Sequence, residues 1–591
     1  MKQFFKFMFA SMLGLFLSLI LLFFILAGII GAMVSSASSD ETTKLESGTV
    51  LHVYFKAPIQ DRTSDNPFEN FDFSSFKSTA QPGLNDIVKN IQKASTDPDI
   101  SGIYLDLSGI SGGMAVMEEI RNALLEFKES KKFIVAYADY YTQGAYYIAS
   151  VSDKIWVNPE GVVDFRGFSS EMPFLKGMLA KLEVEPQVIR HGKFKSAIEP
   201  FILDKMSEEN KQQVATYVNA FWNHFVTEIA ASRKIDVAQL HVIADSVLVQ
   251  SAEDALTYKM VDKIGYKDEF LTDLASKTSK TEIDDIKFVN LNRYTKTKST
   301  APAKEFTSDK VAVIYASGDI VGGKGAADQI GSDALSETIR KARLDEKVKA
   351  VVLRVNSPGG DALASEVIWR EALLCKQSKP FIVSMGDVAA SGGYYISCMA
   401  DTIVAQPNTI TGSIGVFGLL FNAKEMFNNK LGVTFDGYET GPYANTGTMT
   451  RPLTEGERRV LQNSVERVYY TFTKRVADGR KMSQPDVDSI GQGRVWSGID
   501  ALQIGLVDVL GGLDDAVAIA AKKAGITNYR VSEMPEQKEP LQQFMEELSG
   551  DVETRYLKSK FGSDFELMRY ANELMNWKGI QARLPFSVVI N

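Results

Sequence analysis

The chain repeats itself. The stretch FIVAYADYYTQGAYYIASVSDKIWVNPEG, which starts at Phe133, returns as FIVSMGDVAASGGYYISCMADTIVAQPNT, which starts at Phe381, in register and 248 positions later (381 − 133). Upstream, VLHVYFKAPI (residues 50–59) answers VAVIYASGDI (residues 311–320), and GIYLDLSGISGG (102–113) answers AVVLRVNSPGG (350–360). Solenoid repeats run to roughly 20–50 residues; a period this long means two copies of one domain-sized unit. Each copy alternates short apolar runs with amphipathic stretches. In the second copy, residues 351–355 and 381–385 read as buried strands, and residues 332–341 and 363–374 as helices. That alternation predicts an α/β fold with largely parallel strands. The first copy spans residues 48–294 and the second residues 309–525, with a polar, Pro-containing linker at 295–308. Residues 526–591 match nothing in the first copy, and 540–577 read as an amphipathic helical tail.

The N-terminus carries the strongest compositional signal. Lys2 and Lys6 precede residues 7–34, which hold no charge, and the next charged residue is Asp40. A bilayer core takes about 20 apolar residues, whereas a cleavable signal has an apolar stretch of about 7–15. An uncleaved anchor is therefore expected at 7–34, although the small residues of VSSASS leave cleavage open. Lysines before the span and Asp40-Glu41 after it put residues 1–6 in the cytoplasm, make 35–47 a stalk and place the bulk outside.

Composition narrows the partners. With 591 residues the chain has enough length for two sizeable cores, and its 45% hydrophobic and 24% charged residues are those of a globular protein. A net charge of −9 with no long basic run argues against nucleic acid. Cys375 and Cys398 lie in apolar runs and read as buried free thiols. The four histidines show no metal-ligand spacing, so no metal or cofactor is expected.

The copies differ where chemistry would sit. Ser391, in AASGGYYIS, faces Gln143 of the first copy, and Gly393 faces Ala145. Aligned on Gly192 and Gly441, IRHGKFKSAIEPF faces YETGPYANTGTMT, so that Lys195 faces Ala444. One copy has kept a serine without the lysine, and the other a lysine without the serine. Two half-sites of this kind predict one composite site. A neutral lysine amine can take a serine's proton, provided burial lowers its pKa from about 10.4; Phe194, Ala197, Ile198 and Phe201 are candidate apolar walls. Gly359, Gly360 and the N–H of Gly392 are candidate oxyanion donors, because glycines after a strand leave backbone N–H groups accessible. A helix after Ser391 would point its positive end at the same place. Taken singly, SGG and SPGG are ordinary turns and Lys195 an ordinary surface lysine; the reciprocal loss is what joins them. His191 is the rival base, with no partner carboxylate apparent.

FKSAIEPF, SPGGD, AASGGYYIS and TGSIGV, on a duplicated chain behind an N-terminal span, together resemble the signal peptide peptidase A (protease IV) family in its long bacterial form. The resemblance runs from about residue 48 to the end. It implies two tandem ClpP/crotonase-like domains of spiral β-β-α units, with Ser391 as nucleophile and Lys195 as general base. It also implies that Ser413 orients the lysine amine. The expected activity is serine endopeptidase, without cofactor, on released signal peptides and other unfolded apolar peptides. The expected setting is the bacterial inner membrane, with the bulk on its outer side, as a homo-oligomer, a tetramer. FGLLF (residues 417–421) is a candidate wall of a cleft that takes peptides in extended form, with a buried core strand as the alternative. A catalytically inactive membrane scaffold and an acyl-CoA-handling crotonase relative are the other readings open to the sequence.

Overall fold

The computed structural model describes residues 2–37, 45–64, 71–72, 77–78, 81–298, 306–326, 328–536 and 580–583. The first element is the helix Lys2–Ala37. Within it Gln3–Leu22 is long and apolar enough to cross a membrane, and none of it is buried against the rest of the chain.

The two copies build two sheets with one strand order. In the first, Lys263–Ile264, Lys154–Val157, Phe133–Ala138, Ile100–Leu105, Thr49–Val53 and Phe288–Asn290 lie side by side, all parallel. In the second, Val509–Leu510, Thr402–Ala405, Phe381–Ala390, Val348–Ser357, Lys310–Ser317 and Arg530–Met534 repeat that order, again all parallel. Helices between the strands cover the faces, as parallel crossovers require. Ser332–Leu344 and Ala362–Lys376 fall where helices were expected. Expected strands fall within Val348–Ser357 and Phe381–Ala390. Val351, Leu353, Phe381 and Val383 are wholly buried, which is why these strands read as unbroken apolar runs. Beyond Gly525, where a helical tail was expected, the described residues form strands: Arg530–Met534 at the edge of the second sheet and Ile580–Arg583 elsewhere. Residues 540–577 lie outside the described residues. Cys375 and Cys398 are buried free thiols, pushed up to about 12 by burial.

A third sheet draws on both copies and the tail. Its order is Gln329–Gly331, Asp319–Val321, Gly359–Asp361, Ile580–Arg583, Phe417–Asn422, Glu185–Arg190. The last of these belongs to the first copy and pairs antiparallel with Phe417–Asn422, Arg190 opposite Phe417.

Buried polar contacts lock the copies together. Arg354 of the second copy is wholly buried and donates from Nε to Asp61 (2.8 Å) and from Nη2 to Glu119 (2.7 Å), both on the first copy. Asn356 donates to the other Asp61 oxygen at 2.8 Å. Asp387 accepts from the backbone N–H groups of Ala115 (2.9 Å) and Val116 (3.2 Å), at the start of the first-copy helix Met114–Lys128. A guanidinium shared by two carboxylates out of water fixes a single docking geometry, since any slip leaves buried charge unpaired.

Candidate active site

Lys195 reaches the second copy because its own loop is tied there. The chain leaves the strand Glu185–Arg190 and turns at Gly192, whose φ is 93°. A Cβ on Gly192 would stand 2.4 Å from the Gln492 carbonyl oxygen. Phe194 N–H donates to that same oxygen at 3.0 Å. Gln213, on the helix Glu208–Arg233, closes the clamp: its amide donates to the Phe194 carbonyl (3.2 Å) and Ser196 Oγ (3.0 Å), while its Oε1 accepts from Val495 N–H (3.2 Å). Gly493 packs so closely that an added Cβ would lie 2.6 Å from the Lys195 backbone nitrogen.

Ser391 follows the strand Phe381–Ala390 and precedes the one-turn helix Gly392–Tyr395. Its φ of 55° and ψ of −114° are unusual for a residue with a side chain, a strain of about 1–3 kcal/mol. The conformation is held by Ser391 N–H donating to the Gly412 carbonyl at 2.8 Å. A sharp strand-to-helix turn of this kind turns a nucleophile's side chain out of the sheet. Ser413 also has a positive φ, 51°, and its N–H donates to the Arg494 carbonyl at 2.7 Å.

The three side chains meet. Lys195 Nζ lies 2.9 Å from Ser391 Oγ, 3.0 Å from Ser413 Oγ and 3.3 Å from the Ser413 carbonyl oxygen. Lys195 and both serines are buried, beside Ala197, Ile198, Phe201 and Phe417. The Phe417 ring centroid is 5.9 Å from Nζ. Burial alone brings the lysine down to about 7. A neutral amine has two hydrogens and one lone pair. With its hydrogens on the Ser413 hydroxyl and carbonyl oxygens, a neutral amine would turn its lone pair to the Ser391 hydroxyl.

The other expected residues divide. His191 does have a carboxylate partner: its Nδ1 sits 2.6 Å from Glu466, and its ring stacks on Tyr469 with centroids 3.8 Å apart. Gly359 N–H donates to Ser357 Oγ at 3.1 Å. Gly360 lies within the third sheet, and Gly392 opens its short helix, whose first N–H groups have no intrahelical acceptor. The helix has only four residues, too few for a dipole to weigh much. FGLLF is part of the strand Phe417–Asn422, and Phe417 and Leu419 are buried with Ala197, Ile198 and Phe201, which is the core-strand alternative. Sequence reasoning did not find Gln213, Gly493 or the Arg354–Asp61–Glu119 cluster. The one signal for the cluster is an arginine within the apolar run AVVLRV.

The model for Peptidase family S49 matches residues 126–281 and 374–527, one region in each copy. A Protease 4 of Salmonella typhi is 38% identical over 554 residues, which cover 91% of this chain and 88% of that protein. The chain belongs to peptidase family S49. A Protease 4 of Haemophilus influenzae is 39% identical, covering 73% of this chain and 71% of that protein. The chloroplastic serine protease SPPA of Arabidopsis thaliana is 32% identical, covering 92% of this chain and 78% of that protein. Among solved structures, a ClpP1 mutant from Listeria monocytogenes overlays with a TM-score of 0.24 at 13% identity, covering 35% of this chain and 94% of that chain; a score that low carries no argument. The S49 chain is a serine peptidase built as two tandem α/β copies behind an N-terminal apolar helix, and that helix is compatible with a single-pass membrane anchor.

Proposed function

We propose that this S49 peptidase is anchored by the helix Lys2–Ala37 and degrades released signal peptides with a Ser391–Lys195 dyad. The observation that carries the reading is the 2.9 Å contact between a buried lysine amine, brought down to about 7, and the hydroxyl of a serine held at positive φ. Lys195 takes the Ser391 proton as the oxygen attacks a peptide carbonyl. Backbone N–H groups at Gly360 and Gly392 hold the developing oxyanion. Lys195 then passes its proton to the leaving amine, and as base again it activates the water that releases the acyl group. Ser413 positions the amine throughout.

The anchor supports the substrate class. It would hold the site at the outer face of a bacterial inner membrane, where apolar peptides partition and are concentrated. Such peptides must enter extended, by adding to a sheet edge. The assembly implied by the family resemblance, a tetramer, would enclose the sites and exclude folded proteins. The test is a fluorophosphonate probe on the detergent-solubilised chain, followed by cleavage of a signal-like peptide, a charged peptide of equal length and a stable folded domain. Labelling that maps to Ser391, with cleavage of the first substrate only, is the expected result. Labelling that survives in the Ser391→Ala chain overturns the dyad. Equal cleavage of the charged peptide removes the substrate class.

A further inference from the structure

The strand that leads to Ser391 is interrupted just before it arrives. Phe381–Ala390 pairs with Val348–Ser357 in step from Val351 opposite Phe381 to Val355 opposite Met385, and pairing resumes with Ser357 opposite Ala389. Asn356 alone therefore faces Gly386, Asp387 and Val388, which bulges the strand of the serine. The other edge of that strand changes partner at the same place: Thr402–Ala405 pairs up to Met385, and Ile410–Gly412 takes over from Val388. The Asn356 side chain fills the bulge. Its Oδ1 accepts from Val388 N–H at 3.2 Å, while its Nδ2 donates to Asp61 of the first copy at 2.8 Å. A Cβ on Gly386 would stand 3.1 Å from Asn356 Cγ, so the bulge packs closely on that side chain. Asp387, within the bulge, accepts from Ala115 and Val116 N–H of the first copy. The helix that supplies these groups follows Gly113 and has no side-chain cap from its own first turn, and a Cβ on Gly113 would collide with the Asp387 carboxyl. In the first copy the aspartate in register, Asp139 (387 − 248), stays within its own copy: it is exposed and accepts from Tyr137 at 3.0 Å and Asn158 at 2.8 Å.

We propose that Asp387 is a positioning residue of the peptidase: through the bulge it holds Ser391 against Lys195 of the other copy. The inference rests on the proposed Ser391–Lys195 dyad. Asp387 stands four positions before Ser391 (391 − 387) on one strand, and the copy that receives its carboxylate is the copy that carries Lys195. A slip of the bulge changes the gap between Oγ and Nζ, and a misplacement of about 1 Å costs on the order of 100-fold in rate. The two bonds are charge-assisted, from the positive end of a helix to a carboxylate. Loss of water pushes the Asp387 carboxyl up to about 6; Asp61 adds to the push, and Val116 N–H, Arg354 and Ala115 N–H oppose it. Asp61 and Arg354 are the charges that act on it, and Glu119 shares that guanidinium. The turn 406–409, whose Thr409 hydroxyl bonds the Gly386 carbonyl, carries no charge. A carboxyl raised above its unfolded value contributes stability that is lost as pH rises through about 6. At neutral pH the ionised group therefore burdens the fold, which a tie serving stability alone would not do.

The test compares the detergent-solubilised full chain with its Asp387→Ala and Asp387→Asn variants and, as a control from the first copy, Asp139→Ala. Hydrolysis of a short chromogenic peptide gives kcat and KM, and a small fluorophosphonate gives the rate at which Ser391 is labelled. Asp387→Ala is expected to lower kcat and the labelling rate by about 30-fold, with KM within about twofold. Asp387→Asn keeps an acceptor oxygen without the charge and should recover all but about fivefold of that loss. The ratio of parent to Asn-variant kcat should fall from about five above pH 7 to about one below pH 5, with its midpoint near 6. Titration of Lys195 is common to both chains and cancels in the ratio. Asp139→Ala should leave kcat within about twofold. At pH 7 the urea midpoint of the Asn variant should be no lower than the parent's, so that its loss of rate is not a loss of fold. If the Ala variant lacks a cooperative thermal transition, the Asn variant decides. Unchanged kcat and labelling rate in the Asp387 variants, a loss confined to KM, or a ratio that stays flat with pH overturns the inference while leaving the nucleophile in place. Failure of the parent chain to be labelled at Ser391 overturns the dyad reading itself.

Discussion

The two copies share one strand order and differ at one corner. At the second copy's corner, the strand Phe381–Ala390 runs into Ser391 at positive φ, with Lys195 against it. At the first copy's corner, Gln143 opens the helix Gln143–Ala149. Its Oε1 accepts from the N–H groups of Arg166 and Gly167, both at 3.0 Å, and its amide donates to the Gly167 carbonyl at 3.1 Å. A position that presents a hydroxyl in one copy ties down a loop in the other. The neighbouring helix start, Met114–Lys128, is capped across the interface by Asp387. Ala444, opposite Lys195 in the alignment, is exposed and far from such a role. On the proposed dyad, duplication left one copy to hold the base and brace the interface, and the other to hold the nucleophile.

The largest effect that separates the copies is chemical. Ser391→Ala should lower kcat by about 10,000-fold or more, whereas Gln143→Ala should leave kcat within a few-fold; peptide hydrolysis by the two purified variants measures the contrast. Lys195→Ala should match Ser391→Ala, and Lys195→His should not rescue it, because the shorter, flat imidazole does not reproduce the amine's reach. Adding Gln143→Ser to Ser391→Ala should restore nothing, since no lysine stands at 444; any recovered hydrolysis would mean that the first corner is a latent site.

Next comes the joint between the copies. Arg354→Met leaves Asp61 and Glu119 buried with no cation, and should cost about 3–5 kcal/mol, read as a lower midpoint in urea. Gln143→Ala should cost less, about 1–3 kcal/mol for the N–H groups of Arg166 and Gly167 left without their acceptor. Equal losses would contradict the difference between a bracing charge cluster and a loop tie.

The remaining effect is on pH. Lys195 is lowered by burial to about 7 in the folded chain and returns to the ordinary lysine range on unfolding. Between those values the unfolded chain binds the extra proton, so this group's contribution to stability rises with pH from about 7 to about 10.5. Lys195→Met should be more stable than the parent near neutral pH, with the gap closing by about pH 10. Activity should rise with a midpoint near 7 as the amine loses its proton. A midpoint near that of free lysine would remove burial as the activating cause.

Much of this was legible in the sequence because duplication makes a chain its own comparison. Strand and helix positions followed from apolar period, which depends only on neighbours along the chain. Ser391 and Lys195 emerged as a reciprocal mismatch between the copies. Three things did not emerge, because each depends on where distant segments arrive. Gly359 reads as an oxyanion donor in sequence, but the fold brings the Ser357 hydroxyl onto its N–H. His191 shows no carboxylate partner in the sequence because Glu466 is 275 residues away. The short strand Ile580–Arg583 has no period of its own to announce a partner, and its place is set by two strand edges far upstream of it. The sequence by itself determined the two copies, the apolar helix and the identity of the half-sites, since those are patterns of residue type. Only the tertiary structure decided that Lys195 and Ser391 close to 2.9 Å, and that the lysine is buried. Both depend on packing the copies face to face around Arg354, and desolvation is a property of that packing rather than of any local run of residues.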